Sequence, residues 1–204
     1  HKEFGLPEKI KFSVQSNFIS NLETIVPNYQ QGEYFLFFGR LSREKGILTL
    51  IESALNSNIK LKILGTGALF NQIKEQETDN IEVVGFKQGE ELIQIIRNAS
   101  FIIIPSEWFE NNPMSVIEAY AFGKPVIGAD IGGIPEIIIP NETGFLFKSK
   151  NKNDLKEKLQ IANNLTNKEY EYMGKNARKF AETFFNPENQ ITNLINIYNE
   201  LINE

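Results

Sequence analysis

Two pairs of charged residues have the types and spacing to handle a phosphorylated, hydroxyl-rich ligand. Glu110 and Glu118 stand eight positions apart, the first in a polar loop, the second two turns into the helix that follows. An ionised carboxylate accepts several hydrogen bonds, so a helix-borne Glu118 suits a vicinal diol such as a ribose. Arg40 and Lys45 belong to another loop, after a different apolar run. A cation beside a helix start opposes the helix dipole. An anionic ligand removes that conflict, because a helix N-terminus with an arginine and a lysine makes a good diphosphate site. Read alone, the cations fit a solvated turn equally well, and the acids fit solvated positions better.

The elements around the acids are well marked. Phe101–Ile104 reads as a strand running into Pro105, and the loop after it carries Glu107, Glu110, Asn111 and Asn112. Pro113 suits the first turn of a helix. Val116, Ile117, Tyr120 and Ala121 form one apolar stripe at helical spacing, which turns Ser115 and Glu118 to the other side. Gly123 ends the helix, and Lys124-Pro125 leads into the apolar run Val126-Ile127. Asn111, Asn112, Met114 and Ser115 offer backbone N–H groups at the helix start, suited to sugar hydroxyls and a phosphate; Pro113 has none.

The same alternation repeats along the chain. Apolar runs predict buried strands at 34–38, 60–64, 81–84, 101–104, 125–128 and 145–147. Amphipathic stretches predict helices at about 45–56, 67–77, 89–98, 114–122 and 151–164, then 167–185 and 188–203 on either side of Pro187. Continuous apolar strands alternating with helices imply a parallel sheet covered on both faces, a doubly wound, Rossmann-like α/β fold. Residues 1–30 are mixed: Lys9–Val14 reads as a short strand and Val26-Pro27-Asn28 as a turn. An interdomain crossover and a disordered leader fit that segment equally well. Residues 31–185 form the domain, and 186–204 a separate terminal helix.

Composition narrows the classes further. The 204 residues fit one globular domain. A net charge of −5 implies no basic surface for nucleic acid. There is no cysteine, which excludes thiol chemistry and cysteine metal sites and fits the cytoplasm. His1 is the sole histidine, so the chain has no histidine base. No apolar run approaches the ~20 residues that span a bilayer. The first residue is not methionine, and we read the chain as part of something longer.

A family resemblance rests on longer strings. Glu110 and Glu118, continued by Ala-x-x-x-Gly-Lys-Pro-Val-Ile, resemble the E-x7-E signature of the retaining family 4 glycosyltransferases, which have the two-domain GT-B fold. Gly39-Arg40-Leu-x-x-x-Lys45-Gly46 is similar to that family's pyrophosphate loop. The resemblance covers roughly residues 34–185 and implies the C-terminal, donor-binding half of a GT-B enzyme. It implies that Arg40 and Lys45 neutralise the leaving nucleoside diphosphate in place of a metal ion, with no cofactor; the chain has no Asp-x-Asp pair. It implies that Glu118 takes the ribose hydroxyls and Glu110 the donor sugar near its anomeric carbon. The resemblance implies that Gly39, Gly65 and Gly67 let the backbone approach the nucleotide and that Val84-Gly85-Phe86 lie against the base. Gly132-Gly133 let the backbone approach the donor, Glu136 caps a short helix, and Asn141–Phe145 form a structural turn. Many relatives have Glu-Gly-Phe where this chain has Glu110-Asn111-Asn112, which leaves the donor sugar open. Trp108 and Phe109 are expected either to wall the sugar pocket or, more commonly for aromatics, to be buried in the core.

The resemblance also implies partners: a nucleotide-sugar donor, an absent N-terminal acceptor-binding half, and peripheral membrane contact only through that half. The chain alone is then expected to bind donor weakly and turn over little. The apolar Ile191, Leu194, Ile195, Tyr198 and Leu201 of the last helix are expected to be partly exposed. Three alternatives stand beside this reading. A nicotinamide-dependent module is disfavoured by Phe70, which occupies the third glycine position of Gly65-x-Gly67-x-x-Gly. A non-catalytic domain of the same fold is the second. A GT-B epimerase or phosphorylase is the third, and neither matches both motifs as well.

Overall fold

The computed structural model describes residues 13, 15–55 and 57–202. The strand expected at Lys9–Val14 lies outside the described residues, apart from Ser13. Six strands form one parallel sheet: β1 (Phe35–Phe38), β2 (Leu61–Leu64), β3 (Ile81–Gly85), β4 (Ile102–Ile104), β5 (Val126–Ala129) and β6 (Gly144–Phe147). Each lies within one residue of its expected bounds. The spatial order is β3-β2-β1-β4-β5-β6. The chain winds outward from β1 in one direction, then returns to β4 on the other side of β1. That reversal is a topological switch point, where the connections on either side diverge and open a crevice at the strands' C-terminal ends.

The helices are α1 (Ile47–Ala54), α2 (Phe70–Lys74), α3 (Gly89–Asn98), α4 (Met114–Ala121), α5 (Ile134–Ile137), α6 (Lys152–Asn163), α7 (Asn167–Phe184) and α8 (Pro187–Ile202). Helix α1 packs with α6, and α4 with α7. The apolar stripe of α4, Val116, Ile117, Tyr120 and Ala121, is fully buried. Burying such a side chain contributes about 1.5–3 kcal/mol for each large residue. Phe101 stacks between Phe35 and Phe145, and Tyr170 meets its edge. These contacts tie β1, β4, β6 and α7 together beneath the crevice.

Several local expectations need correction. Helix α1 begins at Ile47 rather than 45. A 3-10 turn, Arg43–Lys45, comes first, and Gly46 separates the two at φ +68°. A Cβ at Gly46 would stand 1.7 Å from the Pro105 carbonyl oxygen, so both the left-handed backbone and the close approach require glycine. Helix α2 spans Phe70–Lys74, much less than 67–77; Gly67, at φ +156° and packed against Leu41 O, stays outside the helix start. Pro113 precedes the first helical residue of α4 instead of lying in its first turn. Glu136 lies inside α5 and makes no cap; Gly133 holds that position. Val26-Pro27-Asn28 forms no turn. It runs over the domain, where Asn28 N donates to Phe122 O and Arg178 donates to Leu22 O and Ile25 O.

Candidate functional site

The loops after β1 and β4 meet above the switch point. Glu107 N donates to Glu44 O at 2.9 Å, and Thr49 Oγ1 donates to Glu107 Oε1 at 2.6 Å. With the Gly46–Pro105 approach, these bonds join the two loops into one wall. Glu107 therefore spends its carboxylate on loop architecture, whereas Glu110, three residues later, faces the crevice.

A cleft of about 500 Å³ opens there. Its lining includes Gly39, Arg40, Lys45, Glu110, Asn112, Met114, Ser115 and Glu118. Both cations and both acids therefore share one cleft, drawn from the tips of two strands that are distant in sequence. A second cavity of about 530 Å³ continues from it, sharing Phe38, Gly39 and Arg40, and is lined further by Gly65, Thr66, Gly67, Phe86, Lys87 and Leu92. The two together form a trough along the C-terminal edge of the sheet. Val84 is half-buried against the core, Gly85 gives its carbonyl to Gly65 N, and Asn111 is exposed outside both cavities.

The acids differ in their surroundings. Glu110 Oε1 accepts from Lys45 Nζ at 2.6 Å and from Ser106 Oγ at 2.9 Å. Glu118 has no side-chain hydrogen bond or ion pair among the described residues, and burial pushes its carboxyl above the ordinary glutamate value. Asn112, beside them, carries a buried side-chain oxygen that also lacks a partner among the described residues. Glu118 is thus an unsatisfied acceptor in the cleft wall, suited to hydroxyl donors. Of the cations, Arg40 is mostly exposed, with Glu44 Oε1 at 3.5 Å. Ser42 precedes the 3-10 turn, and its hydroxyl donates to Glu44 Oε1 at 2.6 Å and caps no backbone N–H.

The glycines also let neighbouring loops pack closely. A Cβ at Gly65 would stand 1.8 Å from Gly39 O, and one at Gly67 would stand 2.4 Å from Leu41 O. Leu41 N donates to Thr66 O, and Leu69 N donates to Leu41 O. These glycines permit close contact between the β1 and β2 loops. Likewise, Cβ atoms at Gly132 and Gly133 would strike the backbone of Glu110 and Asn111, and Gly133 N donates to Glu110 O at 2.7 Å. That pair braces the acid-bearing loop. Trp108 and Phe109 lie outside the core and line neither of these two cavities: they are 66% and 74% exposed. Asn141–Phe145 is structural, with Thr143 buried and accepting from the Tyr120 hydroxyl.

Sequence reasoning passed over Ser106, Phe38, Lys87 and Leu92. Ser106 follows Pro105 in the stretch already singled out, and its small hydroxyl in an otherwise bulky strand end was the available signal. Phe38, Lys87 and Leu92 had none, since a strand end and a helix face read as ordinary core and surface.

A six-stranded parallel sheet with a switch-point crevice at its C-terminal edge defines a doubly wound, Rossmann-like α/β domain. The sequence profile described as "Glycosyl transferases group 1" matches residues 20–180, and this chain belongs to that family. Among relatives, an uncharacterised glycosyltransferase of Methanocaldococcus jannaschii is 33% identical over 163 residues, 76% of this chain and 46% of that protein. The Staphylococcus aureus capsular polysaccharide biosynthesis glycosyltransferase CapM is 30% identical over 181 residues, 82% of this chain and 46% of that protein. The chain thus spans about half the length of the curated relatives it matches. Anabaena HepE, solved in complex with UDP, shares the fold with a TM-score of 0.75 at 19% identity, over 83% of this chain and 49% of that one. No helix of the described residues is long and apolar enough to cross a membrane.

Proposed function

We propose that this chain is the donor-binding half of a retaining GT-B glycosyltransferase. The donor is a nucleoside diphosphate sugar, and the hexose-type product belongs to polysaccharide or glycolipid assembly in the cytoplasm. The observation that carries this reading is the convergence of Arg40, Lys45, Glu110 and Glu118 on one cleft at the switch point. Glu118 takes the ribose hydroxyls, and Arg40 and Lys45 meet the diphosphate. Glu110 faces the sugar, and the cavity beside Phe86 receives the base. The solved HepE complex contains UDP, and CapM is named for capsular polysaccharide biosynthesis; both support the donor and product classes.

In the reaction, the bond from the anomeric carbon to the β-phosphate oxygen breaks and the acceptor oxygen bonds that carbon on the same face. The acceptor's proton leaves with the diphosphate. Negative charge grows on the departing oxygens, where Arg40 and Lys45 stabilise it more than they stabilise the ground state. Two fixed cations supply this without a metal ion. The acceptor site belongs to an N-terminal half, and the exposed apolar residues of α8, Ile191, Ile195, Tyr198 and Leu201 among them, pack toward it.

Calorimetric titration with a panel of nucleoside diphosphates and nucleotide sugars tests the donor reading. Binding of one base series, lost on Glu118→Ala, is the expected result. No binding by any of the panel, or binding indifferent to Glu118→Ala and Arg40→Ala, would overturn it.

A further inference from the structure

We infer that Ser106 is a positioning residue whose hydroxyl holds the Glu110 carboxylate on Lys45, forming a latch that a donor diphosphate must open. The inference rests on the donor reading above, since Lys45 enters it as a diphosphate partner.

Ser106 is 1% exposed, at the tip of β4. Its Oγ lies 2.9 Å from Glu110 Oε1, 3.2 Å from Glu44 O and 3.4 Å from Trp108 O. One hydroxyl proton serves a single acceptor well at a time, and the carboxylate is the strongest of the three. The oxygen it selects is the one Lys45 Nζ contacts at 2.6 Å. Serine and lysine thus grip the same atom of Glu110 from two sides.

The surroundings allow that grip to be exchanged. The backbone near Ser106 is pinned: its carbonyl accepts from Ser149 Oγ at 3.1 Å, and Glu107 N donates to Glu44 O. The backbone of Glu110 is pinned through its carbonyl by Gly133 N. The side chains of Glu110 and Lys45 are left to move. When Glu110 leaves Lys45, the Ser106 hydroxyl turns to Glu44 O and stays satisfied, so opening strands no buried donor. A diphosphate carries more negative charge than one carboxylate and takes over the ammonium. Glu110 is then free to face the donor sugar. Diphosphate and Glu110 compete for Lys45, so the latch weakens binding of a bare nucleoside diphosphate and sets Glu110's position by the phosphate's arrival.

The test is calorimetry on this chain with UDP and inorganic pyrophosphate. Removing the charge-assisted hydrogen bond by Ser106→Ala is expected to tighten diphosphate binding about three- to tenfold. Ser106→Thr, which keeps the hydroxyl, is expected to restore wild-type affinity. Glu110→Gln is expected to tighten binding at least as much, and adding Ser106→Ala to it is expected to change nothing further. A purely structural role for Ser106 would lower affinity and melting temperature together, the opposite sign. If Ser106→Ala melts early, Glu110→Gln carries the test alone. Unchanged or weaker binding by Glu110→Gln, or a Ser106→Ala effect that persists beside Glu110→Gln, overturns the latch while leaving the donor reading standing. A wild-type chain that binds neither probe and none of the nucleotide panel overturns the donor reading, and the latch with it.

Discussion

The loop after β4 and the helix that follows it treat their acids in opposite ways. In the loop, Glu110 is gripped by a lysine and a serine. In α4, Glu118 is half-buried, has no such partner among the described residues, and is pushed toward its neutral form by burial. Glu110 is a charge whose partner must be won over by a competitor. Glu118 is a charge kept at some cost to the folded state, which hydroxyl donors would relieve. Proteins tolerate such unsatisfied acids at functional sites rather than in ordinary cores.

The largest expected effect tests Glu118 directly. Glu118→Ala is expected to weaken nucleoside diphosphate binding roughly a hundredfold, since two hydrogen bonds to a charged acceptor are worth about 3 kcal/mol. Glu118→Gln sharpens the contrast through stability. The folded state holds the Glu118 proton more tightly than the unfolded chain does. Its stabilising contribution is present below the ordinary glutamate pKa and is lost as pH rises through the raised value. Glu118→Gln is therefore expected to melt higher than wild type at pH 7. A lower melting temperature would break the comparison.

Lys124 provides a control away from the cleft. It is fully buried, donates to Gln30 O at 3.1 Å, and lies over the Tyr170 ring. Burial, with Arg97 nearby, pulls its ammonium down to about 7. Between that value and the ordinary lysine pKa the unfolded chain binds more protons, so stability rises with pH. Wild type is expected to gain roughly 2 kcal/mol over Lys124→Met between pH 7 and pH 9, read from denaturant melts. Nucleotide affinity is expected to be unchanged, which separates a buried structural charge from Glu118. A flat difference would mean that Lys124 stays protonated.

The smallest effect concerns the cations. Arg40→Ala is expected to lose roughly tenfold in diphosphate affinity at low salt, and less at high salt because the guanidinium is exposed. Lys45→Ala is expected to lose less than Arg40→Ala, because Glu110 already offsets part of its charge. Isothermal titration at two ionic strengths reads both. A larger loss at Lys45 than at Arg40 would mean that the Glu110 contact does not compete.

Much of the architecture was legible because its signals are local. The six strands are continuous apolar runs, and the α4 stripe repeats at helical spacing, so both survive reading one stretch at a time. Errors gathered where a neighbouring loop set the geometry. Helix α1 starts late where Gly46 packs against Pro105, and α2 starts late where Gly67 packs against Leu41. Nothing local marked that the missing side chains of Gly65, Gly67, Gly132 and Gly133 make room for neighbouring loops. Trp108 and Phe109 were expected to be pocket wall or core, and the short Ser106–Asn112 loop turns both outward.

The amino-acid sequence by itself determined the parallel α/β class and the buried face of α4. Each depends on periodicity or composition within about twenty residues. Only the tertiary structure decided that β4 lies beside β1, because strand order depends on packing between segments some sixty-five residues apart, Lys45 to Glu110. That adjacency brings cations and acids to one cleft and sets Ser106 and Lys45 on the same carboxylate oxygen.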